Sequence, residues 1–109
     1  KARELVATGQ GDTLMTFPGW WYVSSARAFL DYSENLPDTV ALAAEIQCPM
    51  LYLRGDLEPA ELYPGEAFTA NSGGRCEFKL LPGCDHFYTG CGEIAGEAIL
   101  GFLERVLKA

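Results

Sequence analysis

The spacing of hydrophobic and polar positions differs between the front and the rear of the chain. In the front, residues 1–8 are typical of the end of a helix, and residues 24–33 and 38–45 favour short helices with a Ser cap and an Asp cap. The stretch GQGDTLMTFPG, which follows the first helix, has the composition of a loop. The pattern therefore predicts a helical, cap-like or connecting segment over residues 1–46.

The rear of the chain, residues 47–109, begins a different pattern that includes two strands. Residues 50–53 are apolar without alternation, which is typical of a strand buried on both faces of a parallel sheet. Residues 75–81 alternate apolar and charged positions, so we expect an edge strand with one buried and one wet face. Its predicted buried positions are Cys76, Phe78 and Leu80.

Helical patterns follow each of these strands. Residues 63–72 favour a helix with Pro64 in its first turn, and residues 92–107 favour an amphipathic helix. The predicted apolar face of the last helix consists of Ala95, Ile99, Phe102, Leu103 and Val106. The order strand, helix, strand, helix predicts an α/β fold, and two strands are too few for a parallel sheet, so we expect further strands from outside this chain.

Composition and net charge argue against some classes of binding partner. The 109 residues suffice for one small core, and 49 % of them are hydrophobic, as in globular proteins. The net charge of −7 repels phosphate backbones and anionic lipids, and no Lys/Arg cluster offsets it. No apolar run approaches the ~20 residues of a membrane span, and the chain start lacks a signal-peptide core. We therefore expect a cytoplasmic protein that binds neither nucleic acid nor membranes.

Four cysteines raise the question of metals and disulfides. Nothing in the sequence marks secretion, so free thiols in a reducing cytosol are expected. A zinc-binding module is the sharper alternative, because three thiolates and an imidazole form a known ligand set. That set would be Cys76, Cys84, His86 and Cys91. Its spacing lacks the tight CxxC pair of structural zinc sites, which argues against a metal.

Chemically reactive side chains follow each predicted strand of the rear segment. Asp56 and Glu58 come after the first strand, and His86, the single histidine, comes after the second. The carboxyl ends of parallel strands lie at one edge of a sheet, where functional loops converge. An acid and a histidine that meet there can hydrogen-bond, and the bond fixes the imidazole tautomer for proton transfer.

These residues carry a resemblance to a known family. The stretches CPMLYLRGDLEP and EFKLLPGCDHFYTG, with the closing helix, resemble the C-terminal part of an α/β-hydrolase. The spacings from Gly55 to Glu58 and from Gly83 to His86 match the family's acid and histidine loops. The resemblance implies an esterase-like serine hydrolase without a cofactor, with His86 as base, Glu58 as triad acid, Asp56 as the alternative acid, and a small ester-like substrate.

The nucleophile of that family is missing from the sequence. No GxSxG elbow occurs anywhere in the chain, so we expect the serine upstream or on another chain, and the present chain alone to be inactive. Trp20 and Trp21 are candidates for a substrate pocket, with core packing as the alternative. A rival hypothesis is a non-catalytic α/β module that a homo-oligomer, a partner chain or a complementing N-terminal segment completes.

Overall fold

The structure is a computed structural model that describes residues 1–19 and 21–108. In this part of the chain the fold is mixed α/β, with one antiparallel and one parallel sheet of two strands each and five helices. The chain divides into two compact units, of which the first ends at Pro37 and the second begins at Asp38. None of the described helices is long and apolar enough to cross a membrane.

The first unit contains an antiparallel strand pair that the sequence pattern does not reveal. Its elements are α1 (Ala2–Ala7), β1 (Leu14–Thr16), β2 (Val23–Ser25) and α2 (Ala26–Asn35). The prediction of a loop after the first helix is therefore wrong for residues 14–16, which form β1. Strands of three residues are too short to establish an alternating pattern. Met15 is the buried centre of β1 and packs with Ala2 and Ala26.

The predicted helix caps are confirmed. Ser25 precedes α2, and its side chain accepts a hydrogen bond from the Ala28 N–H at 3.2 Å. The Asp38 carboxylate accepts from the backbone N–H groups of Val40 and Ala41 at 3.0 and 3.2 Å. Each cap supplies acceptors to N–H groups that have no partner inside the helix. Local sequence therefore sets both helix starts.

The second unit holds the parallel sheet. Its elements are α3 (Thr39–Leu42), β3 (Met50–Gly55), α4 (Gly65–Asn71), β4 (Cys76–Leu81) and α5 (Gly92–Leu107). β3 pairs with β4 in parallel, with Gly55 opposite Leu81 at their carboxyl ends. The predicted α/β order is confirmed, and Pro64 is the N-cap residue of α4 rather than part of its first turn.

Helix α3 belongs to the second compact unit, which begins at Asp38. The Asn71 side-chain amide donates to the Val40 carbonyl at 2.6 Å, at the C-terminal end of α4. Arg75, in the turn before β4, donates from Nε to the Ile46 carbonyl at 2.6 Å. These two side chains tie the segment around α3 to the α/β unit, a long-range effect that composition does not signal.

Burial around the parallel sheet differs from the predicted pattern. The four apolar positions of β3 that were expected to be buried are only half-buried, and on β4 Leu81 is buried whereas Leu80 is exposed. On α5, Ala98 is buried while Ile99 and Leu103 are exposed. A sheet of two strands covers little area, and the small Ala98 side chain packs closely on the cluster of Leu81, Cys84 and Cys91. The rest of the apolar helix surface stays uncovered.

Two of the four cysteines form a disulfide, which corrects the expectation of free thiols. Cys84 and Cys91 are bonded to each other across a separation of seven residues, while Cys48 and Cys76 are free. The alternative zinc ligand set therefore does not assemble, because Cys84 and Cys91 are bonded to each other. Over the described residues, no group of three or more His, Cys, Asp or Glu side chains is placed to hold a metal ion.

Candidate functional site

The carboxylate of Glu58 is fixed against the end of strand β3. The chain turns there, with the Glu58 N–H donating to the Gly55 carbonyl at 3.1 Å. The Gly55 N–H in return donates to Glu58 Oε2 at 2.7 Å. The Glu58 side chain is only 6 % exposed. A charge-assisted bond from a backbone donor orients a carboxylate firmly, so Glu58 presents its second oxygen in one direction.

That second oxygen bonds the imidazole of His86. The distance between Glu58 Oε1 and His86 Nδ1 is 2.7 Å, and the His86 side chain is 57 % exposed. An ionised carboxylate only accepts hydrogen bonds, so a bond to it assigns the donor role to Nδ1, and in a neutral imidazole with that tautomer Nε2 is the acceptor. We call Glu58 and His86 the acid–histidine pair. Its arrangement is that of a general base whose tautomer is fixed by a buried acid.

Backbone hydrogen bonds bring the two loops of the pair together. Beyond the ladder, the Asp56 N–H donates to the Leu81 carbonyl at 3.0 Å, and the Leu57 N–H donates to the Cys84 carbonyl at 3.2 Å. The parallel register of the strands therefore continues into the loops. These two backbone hydrogen bonds set the distance between the loops, which the sequence alone does not reveal.

The alternative acid, Asp56, has a different partner. Its Oδ1 accepts from the Gly83 N–H at 2.7 Å, at the start of the histidine loop. Asp56 thus links the two loops, while Glu58 is the acid that bonds the imidazole. The sequence left these two acids as alternatives, and it held no signal for the bond between Asp56 and Gly83.

The histidine loop is held internally as well. Asp85 Oδ1 accepts from the backbone N–H groups of Phe87 and Thr89 at 3.0 and 2.9 Å. The bond from the Thr89 backbone is the main cause that lowers the pKa of the Asp85 carboxyl below its usual range. Tyr88 adopts a positive φ of 55°, and the disulfide closes the loop. Several local constraints therefore hold the segment that carries the imidazole.

Two aromatic rings contact the imidazole. The Tyr63 ring stacks on His86 with a centroid distance of 5.0 Å and an interplanar angle of 27°. The Phe87 ring meets His86 edge-on at 5.4 Å and is itself 83 % exposed. Sequence reasoning missed both residues, since nothing in the spacing of Tyr63 from Glu58 indicates a contact with the histidine loop.

A buried arginine, Arg54, lies on the strand that leads to Glu58. Arg54 lies on β3, is 5 % exposed, and donates to both carboxylate oxygens of Glu66 on α4 at 2.8 and 2.9 Å. Its Nη1 also donates to the Tyr63 carbonyl at 2.8 Å. The Tyr88 hydroxyl donates to the Leu53 carbonyl of β3 at 3.5 Å, and burial first, and then the charge of Glu58, raises the pKa of that hydroxyl. Charged and polar groups thus surround the carboxyl end of β3.

Two tryptophans were predicted to line a substrate pocket. Trp20 lies outside the described residues. Trp21 belongs to the first unit and is 98 % exposed. The same unit has an apolar groove of about 540 Å³ between β2 and α2, lined by Tyr22, Val23, Ser24, Ala28, Phe29 and Tyr32. A substrate-contacting role for Trp20 and Trp21 remains a prediction.

Comparisons with known proteins add no family to this geometry. No protein-family model matches the chain, and neither a curated protein nor a solved structure is significantly similar to it. The resemblance to α/β-hydrolases therefore remains a prediction from the residues of the two loops.

Proposed function

We propose that this chain supplies the acid and the base of a serine-hydrolase triad that acts on carboxylic esters of small molecules, with the serine upstream or on another chain. The observation that carries the proposal is the acid–histidine pair. A buried carboxylate accepts from a backbone N–H with one oxygen and meets imidazole Nδ1 with the other, while the His86 side chain is exposed, an arrangement that supports Nε2 as the proton acceptor. This is what a general base of a nucleophilic hydroxyl requires.

In the proposed reaction, His86 Nε2 accepts the proton of the serine hydroxyl as its oxygen attacks the ester carbonyl carbon. The negative charge of Glu58 stabilises the imidazolium that forms. Collapse of the tetrahedral intermediate breaks the bond to the alcohol oxygen, which takes the proton from Nε2. Water then adds to the acyl-enzyme by the same proton path and releases the acid and the free serine. No cofactor takes part in this scheme.

The preference for esters rests on the family resemblance, and the acid–base role rests on geometry. Here the acid is buried and the histidine is half-exposed. That combination supports a pair whose free nitrogen faces a reactant.

The experiment is ester turnover by the protein from its native source, with its full reading frame, against p-nitrophenyl esters. We expect a fluorophosphonate to label one serine of the active protein. His86→Ala should lower kcat by about 10³-fold or more, and Glu58→Ala by about 10²- to 10⁴-fold, since both belong to one proton-transfer unit.

Asp56→Asn is the matched control, because Asp56 lies in the same loop and bonds Gly83 instead of His86. We expect its kcat to stay within about tenfold of the wild type. Turnover that is unchanged in His86→Ala, or a native protein in which no serine is labelled and no ester is cleaved, would contradict the proposal.

A second candidate function is a non-catalytic α/β module that a second copy or a partner chain completes. The observation in its favour is the uncovered apolar surface of α5, which includes exposed Ile99, Leu100 and Leu103. Such a module has no ester turnover that depends on His86. The His86→Ala comparison therefore separates the two functions.

A further inference from the structure

One hydrogen bond leaves the imidazole of His86 incompletely fixed. The contact with Glu58 Oε1 restrains Nδ1, while the ring plane is set by rotation about the Cβ–Cγ bond and by the groups that pack on the ring. Turning the plane swings Nε2 away from a fixed reactant, and small errors in position slow a proton transfer strongly. A second contact that sets the ring plane is therefore needed for a defined Nε2 direction.

Tyr63 provides a contact of that kind. Its ring lies nearly parallel to the imidazole, at 27° and a centroid distance of 5.0 Å, and so packs on the ring face. Phe87 meets the same imidazole edge-on, at 72°, from an exposed position on the histidine loop itself. Tyr63 comes from the other loop, so its contact relates the imidazole to the β3 end of the sheet.

The backbone of Tyr63 is itself anchored. Its carbonyl accepts from Nη1 of Arg54, a buried cation of β3, at 2.8 Å. Arg54 is held in turn by two hydrogen bonds to Glu66 in the first turn of α4. A charge-assisted bidentate pair has fixed geometry. The stacking ring is therefore attached to a rigid strand and helix instead of to a free loop.

We propose that Tyr63 is a positioning residue that sets the ring plane of His86, and that the ion pair of Arg54 with Glu66 holds Tyr63 in place. The inference rests on the proposed acid–base role of His86. When Nε2 takes a proton, the face of the tyrosine ring also attracts the resulting cation. Tyr63 thus contributes orientation before proton transfer and charge stabilisation during it.

The first test needs no variant. Because His86 is the only histidine of the chain, its ring protons and nitrogens are assigned without ambiguity in an isotope-labelled sample. We expect nuclear Overhauser contacts between the Tyr63 and His86 rings, and an upfield shift of the His86 carbon-bound protons from the tyrosine ring current. Absence of both in the folded 109-residue chain would overturn the proposal.

The second test compares Tyr63→Leu with Tyr63→Phe, which keeps the aromatic face. In Tyr63→Leu we expect ¹³C relaxation to show a mobile imidazole, while the ¹⁵N shifts still show the proton on Nδ1. In the native enzyme kcat should fall about two- to fivefold with KM unchanged. Tyr63→Phe should restore both the rigid ring and kcat.

Leu62→Ala is the control, since Leu62 is an exposed neighbour in the same loop. It should leave ring mobility and kcat as in the wild type. Ring mobility that is the same in Tyr63→Leu as in the wild type would overturn the proposal, even if the triad role of His86 holds.

Failure of the triad role has a different signature from failure of this inference. Glu58→Ala should release the Nδ1 tautomer and lower kcat by about 10²- to 10⁴-fold while the contact between the Tyr63 and His86 rings persists. If Glu58→Ala changes neither the tautomer nor turnover, the proposed function is contradicted. That result leaves the stacking of Tyr63 on His86 unaffected. The two ideas are thus tested by separate observables.

Discussion

At the scale of single residues, Gly55 is the position on which the site depends most directly. Its N–H orients the Glu58 carboxylate, and its missing side chain admits the histidine loop. A Cβ at this position would meet the Cys84 backbone, with the carbonyl carbon at 2.6 Å and the Cys84 Cβ at 3.0 Å. No real Cβ tolerates such contacts, so only glycine allows the two loops to approach.

We predict that Gly55→Ala destabilises the fold and separates the acid–histidine pair. Because backbone and not a flexible side chain blocks the added methyl, the free energy of unfolding should fall by about 1–3 kcal/mol. Urea unfolding followed by circular dichroism measures the loss. In the same variant we expect the Nδ1 proton of His86 to exchange faster with water, as its bond to Glu58 lengthens.

Gly96→Ala is the matched comparison. This glycine lies inside α5, and a Cβ added there meets nothing within 4 Å. Alanine in a helix interior should raise the free energy of unfolding by about 0.5–1 kcal/mol. Equal stability of Gly55→Ala and the wild type would contradict the close contact between Gly55 and the Cys84 backbone.

At the scale of elements, the link between β3 and α4 is an ion pair around a buried arginine. Arg54 is bonded to Glu66 and lies over the Phe78 ring at 5.2 Å. Its Nε is the one buried side-chain donor of the described residues without a hydrogen-bond partner. The Arg54 guanidinium is the main cause that lowers the pKa of the Glu66 carboxyl. The ion pair of Arg54 with Glu66 thus links β3 to α4.

We predict that the free energy of unfolding falls at acid pH because the Glu66 carboxylate becomes protonated. Its pKa is depressed in the folded chain below its usual 4.5. The stability that the ion pair contributes is therefore fully present above that usual value and is lost as pH falls through the depressed folded value. Protonated Glu66 leaves the Arg54 cation without its counter-charge.

Thermal unfolding between pH 7 and pH 2 measures this dependence in the wild type and in Glu66→Gln. The variant should melt lower at neutral pH, and the difference should shrink towards zero in strong acid. Glu97→Gln on the exposed face of α5 serves as control and should follow the wild type throughout. A difference between the wild type and Glu66→Gln that is constant over the whole range would contradict the role of the pair.

At the scale of the whole molecule, a large part of the apolar surface is uncovered. A parallel sheet of two strands is smaller than what is normally stable alone. The apolar residues of α5 that remain exposed are Ile94, Ile99, Leu100, Leu103 and Leu107. Exposed apolar helix faces of this kind mark interaction surfaces in proteins. We therefore expect this surface to be covered when the protein functions.

We predict that the isolated 109-residue chain self-associates through α5. Sedimentation velocity over a concentration series should show a mass that rises with concentration. Leu100→Glu, which places a charge on the apolar face, should shift the chain towards the monomer by about tenfold in concentration, since burying a charge there is costly. Leu14→Glu, an equally exposed leucine of the first unit, should leave the series unchanged. A wild type that is monomeric at every concentration would contradict the prediction.

Features that depend on neighbouring residues follow from the sequence, and features that depend on residues far apart in the chain do not. The caps at Ser25 and Asp38 and the bounds of α5 follow from neighbouring residues, and the structure confirms them. The three-residue strands β1 and β2 depend on pairing across a loop, which a local pattern does not record. The predicted cytoplasmic location remains a prediction, and the disulfide weighs against it because disulfides persist mainly in oxidising compartments.

Periodicity and turn residues are local properties, so the residue pattern alone predicts the two strands that alternate with helices in the second unit, and the acids and single histidine that follow those strands. The bond of Glu58, and not of Asp56, to His86 and the stacking of Tyr63 on the imidazole are visible only in the folded chain. Those choices depend on strand register and loop approach at Gly55, where residues about 30 positions apart meet. Contacts between distant residues are fixed by packing in three dimensions, which no local pattern encodes.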